Sequence, residues 1–514
     1  MPLTSHRTVE DDELANQEVA NPNLQPPAQP RAGGYKLGSV GTIFASGSAM
    51  FSDGYSNASI GPVNTILAIV LGDAFTKHDK AVLSAMAFAG MVAGQLSFGY
   101  VSDKIGRKIA MFICTAIIFV FSILSSASSG SPQTIVKCLI AFRFLLGVGL
   151  GGEYPAGSVT AAEATENNDI KKGRQQRLFI WATNMMLDFA FGIAWFVALV
   201  LLWIFGMNHL RVVWRGTLAL GAIPPLILLV ARLFMEEPQA YKKNSMKHAP
   251  IPYLLLIKRY WLKLLAITWF IYDWITYPFG MYSSTITDMA APNSTLYETL
   301  GWGCLINAFY IPGSMLGSFV SDWIGPKYAM ITGLLLQAIF GFAMSGAYNQ
   351  LTNNGSIAGF AVMYGIFLAC GELGPGNNLG LLASKVVGPT AARGQLYGVA
   401  AAVGKIGAFI GNYTFPYMIT SFGNRSEYLG NTGIIWVGSA LAIFSAIITF
   451  FFIPNIGPDY MVREDEEFRE YLAAHGYDVS QIGEAGYKAH DEIPYDPELG
   501  HTRSDGSDEK HHEN

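Results

Sequence analysis

Four ionisable side chains stand deep inside long apolar runs, where a charge is costly and usually serves a function. At 1.5 Å per residue, Lys405 lies about 15 Å into its run, Asp273 about 17 Å, Asp188 about 15 Å and Asp53 about 20 Å. All four are near the middle of a hydrocarbon layer about 30 Å thick. A lone lysine at that depth needs a carboxylate or an anionic ligand, so Lys405 is read as the anion-binding group and Asp273 as its resting partner. Carboxyls in poorly hydrated surroundings can gain and lose a proton within a conformational cycle, which makes Asp53 and Glu153 candidates for proton carriage. Trp269, Asp273 and Tyr277 recur at i, i+4 and i+8, placing two rings and an acid on one helical face. Such a face suits a quaternary ammonium or a sugar-like ring. Arg143 precedes Gly147 and Gly151 at helical spacing and is expected to neutralise a nearby acid.

Positioning these groups requires helices that cross a membrane. The chain has 514 residues, 51% hydrophobic and only 14% charged, against about 25% charged in a soluble protein. Twelve apolar runs are long enough to span: about 39–70, 82–101, 109–128, 134–156, 178–205, 212–235, 262–290, 300–321, 329–347, 357–381, 395–422 and 432–454. The first is expected to break at Gly61-Pro62. The expected layout is a disordered N-terminus (1–36), a six-helix bundle (37–235), a central loop (236–261), a second bundle (262–454) and an acidic tail (455–514).

A repeat supports two homologous halves. Val101-Ser102-Asp103-Lys104-Ile105-Gly106-Arg107-Lys108 returns 219 positions on as Val320-Ser321-Asp322-Trp323-Ile324-Gly325-Pro326-Lys327. At the same offset Gly152-Glu153 maps onto Gly371-Glu372, and Asp53 falls within one residue of Asp273. The fold class is therefore an all-α membrane protein, twelve transmembrane helices in two pseudo-symmetric six-helix bundles. Asp103, Arg107, Lys108 and Asp322 sit at helix ends and are expected to form a gating latch, pairing across helices and with exposed carbonyls.

The loops on the side of this motif contain sixteen Lys and Arg against six on the other. That bias predicts both termini in the cytoplasm. Sequons at Asn293, Asn354 and Asn424 then fall outside and are candidate glycosylation sites, whereas those at Asn57 and Asn412 lie within helices. The tail carries 16 acidic against 5 basic residues. One short helix is expected there, Arg463 to His475, with Phe468 and Leu472 on one face. The four cysteines have no metal-site spacing, and no nucleophile and base stand together. The chain is expected to be no enzyme, to hold no cofactor or metal, and to bind no nucleic acid. Its partners are expected to be a small anionic molecule at Lys405, protons and the lipid bilayer.

Gly99 to Lys108 resembles the loop signature of the major facilitator superfamily, with a weaker copy at 317–327. Gly151-Gly152-Glu153-Tyr154-Pro155 and Ala401-Ala402-Val403-Gly404-Lys405-Ile406-Gly407-Ala408 resemble its phosphate:proton symporter branch. Phe51-Ser52-Asp53-Gly54-Tyr55 and Trp269-Phe270-Ile271-Tyr272-Asp273 fit that branch too. The run from Pro278 to Ile286, with Asp465-Glu466-Glu467-Phe468 in the tail, is similar to fungal glycerophosphodiester permeases. The resemblance implies alternating access and proton-driven uptake across the plasma membrane. It implies phosphate contacts from Lys405, Tyr154 and Asn307, and acids at Asp53, Glu153 and Asp273. Asp188 departs from the pattern, since a carboxylate there repels inorganic phosphate. It could face a cationic head group or take a proton, and Glu372 raises the same question. Glycerophosphocholine or glycerophosphoinositol import is the expected function. An inorganic phosphate symporter and a nutrient receptor with a transporter fold are the alternatives.

Overall fold

Twelve spanning segments follow one another in the order the apolar runs predict. The computed structural model describes residues 38–166, 170–235, 237–246, 251–260, 267–291, 294–352, 357–457, 460–479 and 482. We number the spans α1 (39–71), α2 (Lys77–Lys104), α3 (Arg107–Ser126), α4 (Pro132–Thr165), α5 (Gln175–Phe205) and α6 (Met207–Leu233). The second half repeats them as α7 (267–290), α8 (Leu296–Ile324), α9 (Pro326–Gly346), α10 (Ala358–Val386), α11 (Arg393–Gly423) and α12 (Glu427–Phe452). Among the described residues there is no strand, and the two halves pack into one compact unit. Trp203, Ile227, Phe451 and Phe452 point outward, as lipid-facing side chains must.

Nine of the spans are long and apolar enough by themselves to cross a bilayer. The other three are α1, α7 and α11, which carry Asp53, Asp273 and Lys405. The first is split into Ser39–Gly47, Ala49–Ala58 and Ile60–Leu71. Its break falls at Ser59 rather than at Gly61-Pro62, because Pro62 in the first turn of Ile60–Leu71 needs no N–H partner. Likewise α7 divides into Ile267–Met281 and Ser283–Ala290, and α11 is continuous over 31 residues but too polar for its length. The three helices least able to insert alone thus include those that carry Lys405 and its partner Asp273.

Local chemistry sets the helix ends. Thr76 with Asp79 and Thr295 with Glu298 form reciprocal capping boxes at the starts of α2 and α8. The glycines of the duplicated motif, Gly106 and Gly325, have φ of 143° and 86°. Each reverses the chain between two antiparallel helices in a conformation that side chains with a Cβ rarely adopt.

A second symmetry was hidden in the Gly-Glu repeat. Just after it, α4 and α10 each contain a π turn, at Tyr154–Ser158 and Glu372–Gly376. Pro155 and Pro375 lie inside these turns and cannot donate the backbone bond a regular helix requires. Such bulges are common at functional sites, and here both lie on the central cavity.

The tail helix runs Tyr460–Ala474, three residues earlier at its start than expected. It is docked, not solvated as its composition suggested. Phe468 and Leu472 are buried, and the Phe468 ring packs 6.2 Å from that of Tyr260. Asp465 accepts from the backbone N and the Oγ1 of Thr390, both at 2.6 Å. Arg469 donates to Lys243 O and Asn244 Oδ1 in the central loop. Removing the ring in Phe468→Ala is expected to weaken this docking by about 3 kcal/mol. Amide hydrogen exchange across 460–474 should then speed up by about 100-fold, while exchange in α2 stays as in the wild type. The N-terminus 1–36, most of the tail beyond the helix, Asn293 and Asn354 lie outside the described residues. Asn424 is exposed at a helix end, whereas Asn57 and Asn412 are buried within helices.

Candidate functional site

A cavity of about 70 Å³ lies at mid-height between the halves. By the same measure it has room for roughly five waters, less than a phosphodiester needs, so binding must move side chains or helices. Lys405, Asp273, Tyr154, Asp188, Trp269 and Tyr277 all line it.

Lys405 is 1% exposed and donates to Asp273 Oδ2 at 3.0 Å and to Tyr277 Oη at 2.6 Å. Its Nζ also sits 4.1 Å from the Tyr277 ring centroid and 4.9 Å from that of Tyr154. The aromatic face of α7 therefore already serves a cation, the protein's own lysine. Trp269 instead packs edge-on against Tyr397 at 5.7 Å. Of this stripe, Tyr277 has its ring and hydroxyl engaged by Lys405 and still lines the cavity.

The lysine site connects to the other half through hydroxyls. Tyr277 Oη lies 3.4 Å from Tyr154 Oη, which donates to Asp53 Oδ2 at 2.7 Å. Asn57 donates to Asp53 Oδ1 at 2.6 Å. Asp53 is thus one hydroxyl behind the cavity wall, and a chain of polar groups runs from it to Asp273 across the two halves. Arg143 donates to Ser56 O at 2.9 Å, and the acid its buried charge acts on is Asp53, at a distance rather than through a direct ion pair.

Two predicted residues lie elsewhere. Glu153 is held by both arms of Arg232, at 2.5 and 2.7 Å, and accepts from Thr115 at 2.9 Å. All of this is buried between α4, α6 and α3, away from the cavity. Asn307 donates to Gly303 O at 2.8 Å and to Ser283 Oγ at 3.2 Å. It braces α8 against α7 and does not line the cavity.

Below the cavity the basic ends of the halves are joined by charge. Asp103 accepts from Gly394 N at 3.0 Å and Gln395 N at 2.8 Å, so a carboxylate of the first half caps α11 of the second. Arg107 binds Asp103 at 2.5 Å and Glu163 at 3.0 Å, and Glu163 reaches Arg393 at 3.4 Å. Lys385 pairs with Glu166 at 3.1 Å, and Arg177 with Asp322 at 3.6 Å. Lys108 stays within its own half, donating to Leu233 O at 2.9 Å. The opposite end is closed more lightly. Thr65 meets Ser284 at 3.0 Å, Lys80 donates to Thr285 at 3.0 Å, and Lys77 donates to Thr420.

Residues 43–412 match the family model of the Major Facilitator Superfamily. The chain belongs to that superfamily. It is 42% identical to the glycerophosphocholine permease GIT4 of Candida albicans, over 94% of this chain and 88% of the relative. It is 40% identical to the major glycerophosphoinositol permease GIT3 of the same organism, over 88% and 85%. With the glycerophosphoinositol transporter 1 of Saccharomyces cerevisiae the identity is 32%, over 89% and 86%. The fold is similar to that of the proton:xylose symporter XylE bound to 6-bromo-6-deoxy-D-glucose. There the TM-score is 0.70 at 16% identity, covering 84% of this chain and 98% of that one.

As a facilitator, the protein has groups at its working surfaces that sequence reading passed over. Arg232 sits one residue from the end of α6, where a charge is ordinary and carries no signal in the sequence. Arg393 and Lys385 count in the sequence only as loop charges and Glu163 carries no signal there, yet all three are buried in the joined ends. Asn184, Tyr272 and Tyr310 of the cavity carry no charge in an apolar run, the signal that marked the others.

Proposed function

We propose that this facilitator imports glycerophosphodiesters across the plasma membrane, driven by protons, by alternating access. The observation that carries this reading is Lys405: a buried ammonium at mid-membrane, in a cavity, held by one carboxylate and one hydroxyl. The names of the relatives that are 40 to 43% identical, permeases and transporters of glycerophosphocholine, glycerophosphoinositol or glycerophosphodiesters, support it.

A phosphodiester anion entering the cavity takes Lys405 from Asp273, and the Tyr154 hydroxyl can turn from Asp53 to the anion. Asp273 then loses its counter-ion and becomes the better proton acceptor. Asp53 is linked to the same lysine through Tyr154 and Tyr277, so protonation and substrate occupancy share one polar chain. Proton coupling is thereby assigned to Asp53 with Asp273, and Glu153 to holding α4 against α6. The bias of basic loops places the ion-paired end, and both termini, in the cytoplasm. Asp103, Arg107 and Asp322 are the latch that must open for release, and Lys108 anchors the first copy of the motif to α6.

The test is uptake of labelled glycerophosphocholine and glycerophosphoinositol at two external pH values, in cells lacking their own permeases. Uptake above background that is faster at the lower pH is the expected result. Displacement by inorganic phosphate as strong as by either unlabelled ester would transfer the assignment to phosphate.

A further inference from the structure

The cavity holds more negative charge than anion binding can use. Besides Asp273 it is lined by Asp188 from α5 and Glu372 from α10, one acid from each half. The Asn184 amide donates to both, at 3.1 Å to Asp188 Oδ2 and 2.9 Å to Glu372 Oε2. Glu372 Oε1 accepts from Tyr272 Oη at 2.8 Å. Asp188 is 1% exposed. The neighbouring Ser314 hydroxyl, which donates to Ile311 O at 3.2 Å, is shared with Asp188, whose Oδ1 has no other partner among the described residues. Lys405, the cavity's lysine, bonds Asp273 and reaches Glu372 only through space, without an ion pair to it.

The repeat sharpens the anomaly. Glu153 and Glu372 are equivalent in the two halves, and the protein neutralises Glu153 with Arg232. The residue 219 positions beyond Arg232 is Phe451, which faces outward. One copy of the repeated glutamate has a counter-ion built in; the other is left to face the cavity. Buried carboxylates without a cation are costly, so the missing charge is one that a ligand can supply. Phe191, one turn from Asp188 on α5, and Tyr310 meet edge-to-face at 5.3 Å on the same wall. Carboxylates beside aromatic rings are the surroundings that hold a quaternary ammonium.

We propose that Asp188 and Glu372, bridged by Asn184, form the subsite for the cationic head group of the substrate, so that choline esters are preferred to inositol esters. This rests on Lys405 as the phosphodiester site. In a choline ester two carbons separate the ester oxygen from the nitrogen, so an anion site and a cation site must share one cavity, as they do here. Inositol can donate hydrogen bonds to the two acids but cannot balance their charge.

The decisive measurement uses the wild-type protein. Uptake of labelled glycerophosphoinositol is inhibited with glycerophosphocholine or with its 3,3-dimethylbutyl analogue, which has carbon in place of nitrogen and no positive charge. The analogue should inhibit at least tenfold more weakly; equal inhibition overturns the proposal. In Glu372→Gln and Asp188→Asn, compared at matched membrane levels, the ratio of glycerophosphocholine to glycerophosphoinositol uptake should fall at least tenfold. An unchanged ratio, including equal loss of both esters, overturns it, and equal loss assigns the acids to proton carriage. Lys405→Ala separates this from the underlying reading: it should lower uptake of both esters alike. Wild-type uptake of neither ester would overturn the function itself and the subsite with it.

Discussion

Lys405→Ala is expected to lower glycerophosphodiester uptake by on the order of 100-fold, whichever head group is offered. Charge-assisted hydrogen bonds are worth about 1.5–3 kcal/mol each, and the variant removes the cavity's ammonium. The same change strands Asp273 in a buried site, and breaking a buried pair costs about 3–5 kcal/mol. Loss of protein could therefore imitate loss of binding. The control is Lys405→Gln combined with Asp273→Asn, which leaves no orphaned charge. Membrane level should recover in the double variant while uptake stays low. Uptake equal to wild type in Lys405→Ala would remove the lysine from the site. Uptake restored in the double variant would make the Lys405–Asp273 pair a structural tie between α7 and α11.

The second large effect concerns Glu153. Both its oxygens are held by Arg232 in a fully buried cluster, so Glu153→Gln leaves a guanidinium without its counter-charge. A loss of about 3–5 kcal/mol follows, read as a lower melting temperature in detergent and less protein at the membrane. Replacing the pair together, Glu153→Met with Arg232→Met, should restore most of that stability, because apolar residues of similar volume often substitute well for a buried pair. Uptake per transporter should then keep its pH dependence. A Glu153→Gln protein of normal stability that had lost the pH dependence would return Glu153 to proton carriage.

These two cases show how the sequence was informative and where it ran out. Lys405 and Asp273 were found because depth in an apolar run is a property of the run itself, and few partners are possible there. Glu153 had the same signal, yet its partner lies 79 residues away on α6. Two acids equivalent by repeat read as equivalent in role, and nothing local to either separates them. Asn307 shows the opposite limit: a polar residue on a spanning helix can turn to the cavity or to its neighbour, and its spacing is the same in both cases.

The tail adds a third case. Its acidic composition reads as solvated, and for most of its charges that is the ordinary outcome. Asp465 is buried because Thr390 and Arg393 offer donors at the start of α11, and Glu464 because Tyr260 does. None of the three partners is within 60 residues of the tail helix.

By itself, then, the sequence determined the class, the number of spans, the twofold repeat and the deep charged residues that needed a partner. Those follow from the bilayer's thickness and the cost of charge within it, which act on each segment separately. Only the tertiary structure decided which charge answers which. It gave Arg232 to Glu153 and the Tyr277 ring to Lys405, capped α11 of one half with Asp103 of the other, and left Asp188 and Glu372 facing the cavity with no ion pair among the described residues. The reason is physical: an ion pair is set by which helix faces meet, and helix packing is a property of the whole bundle.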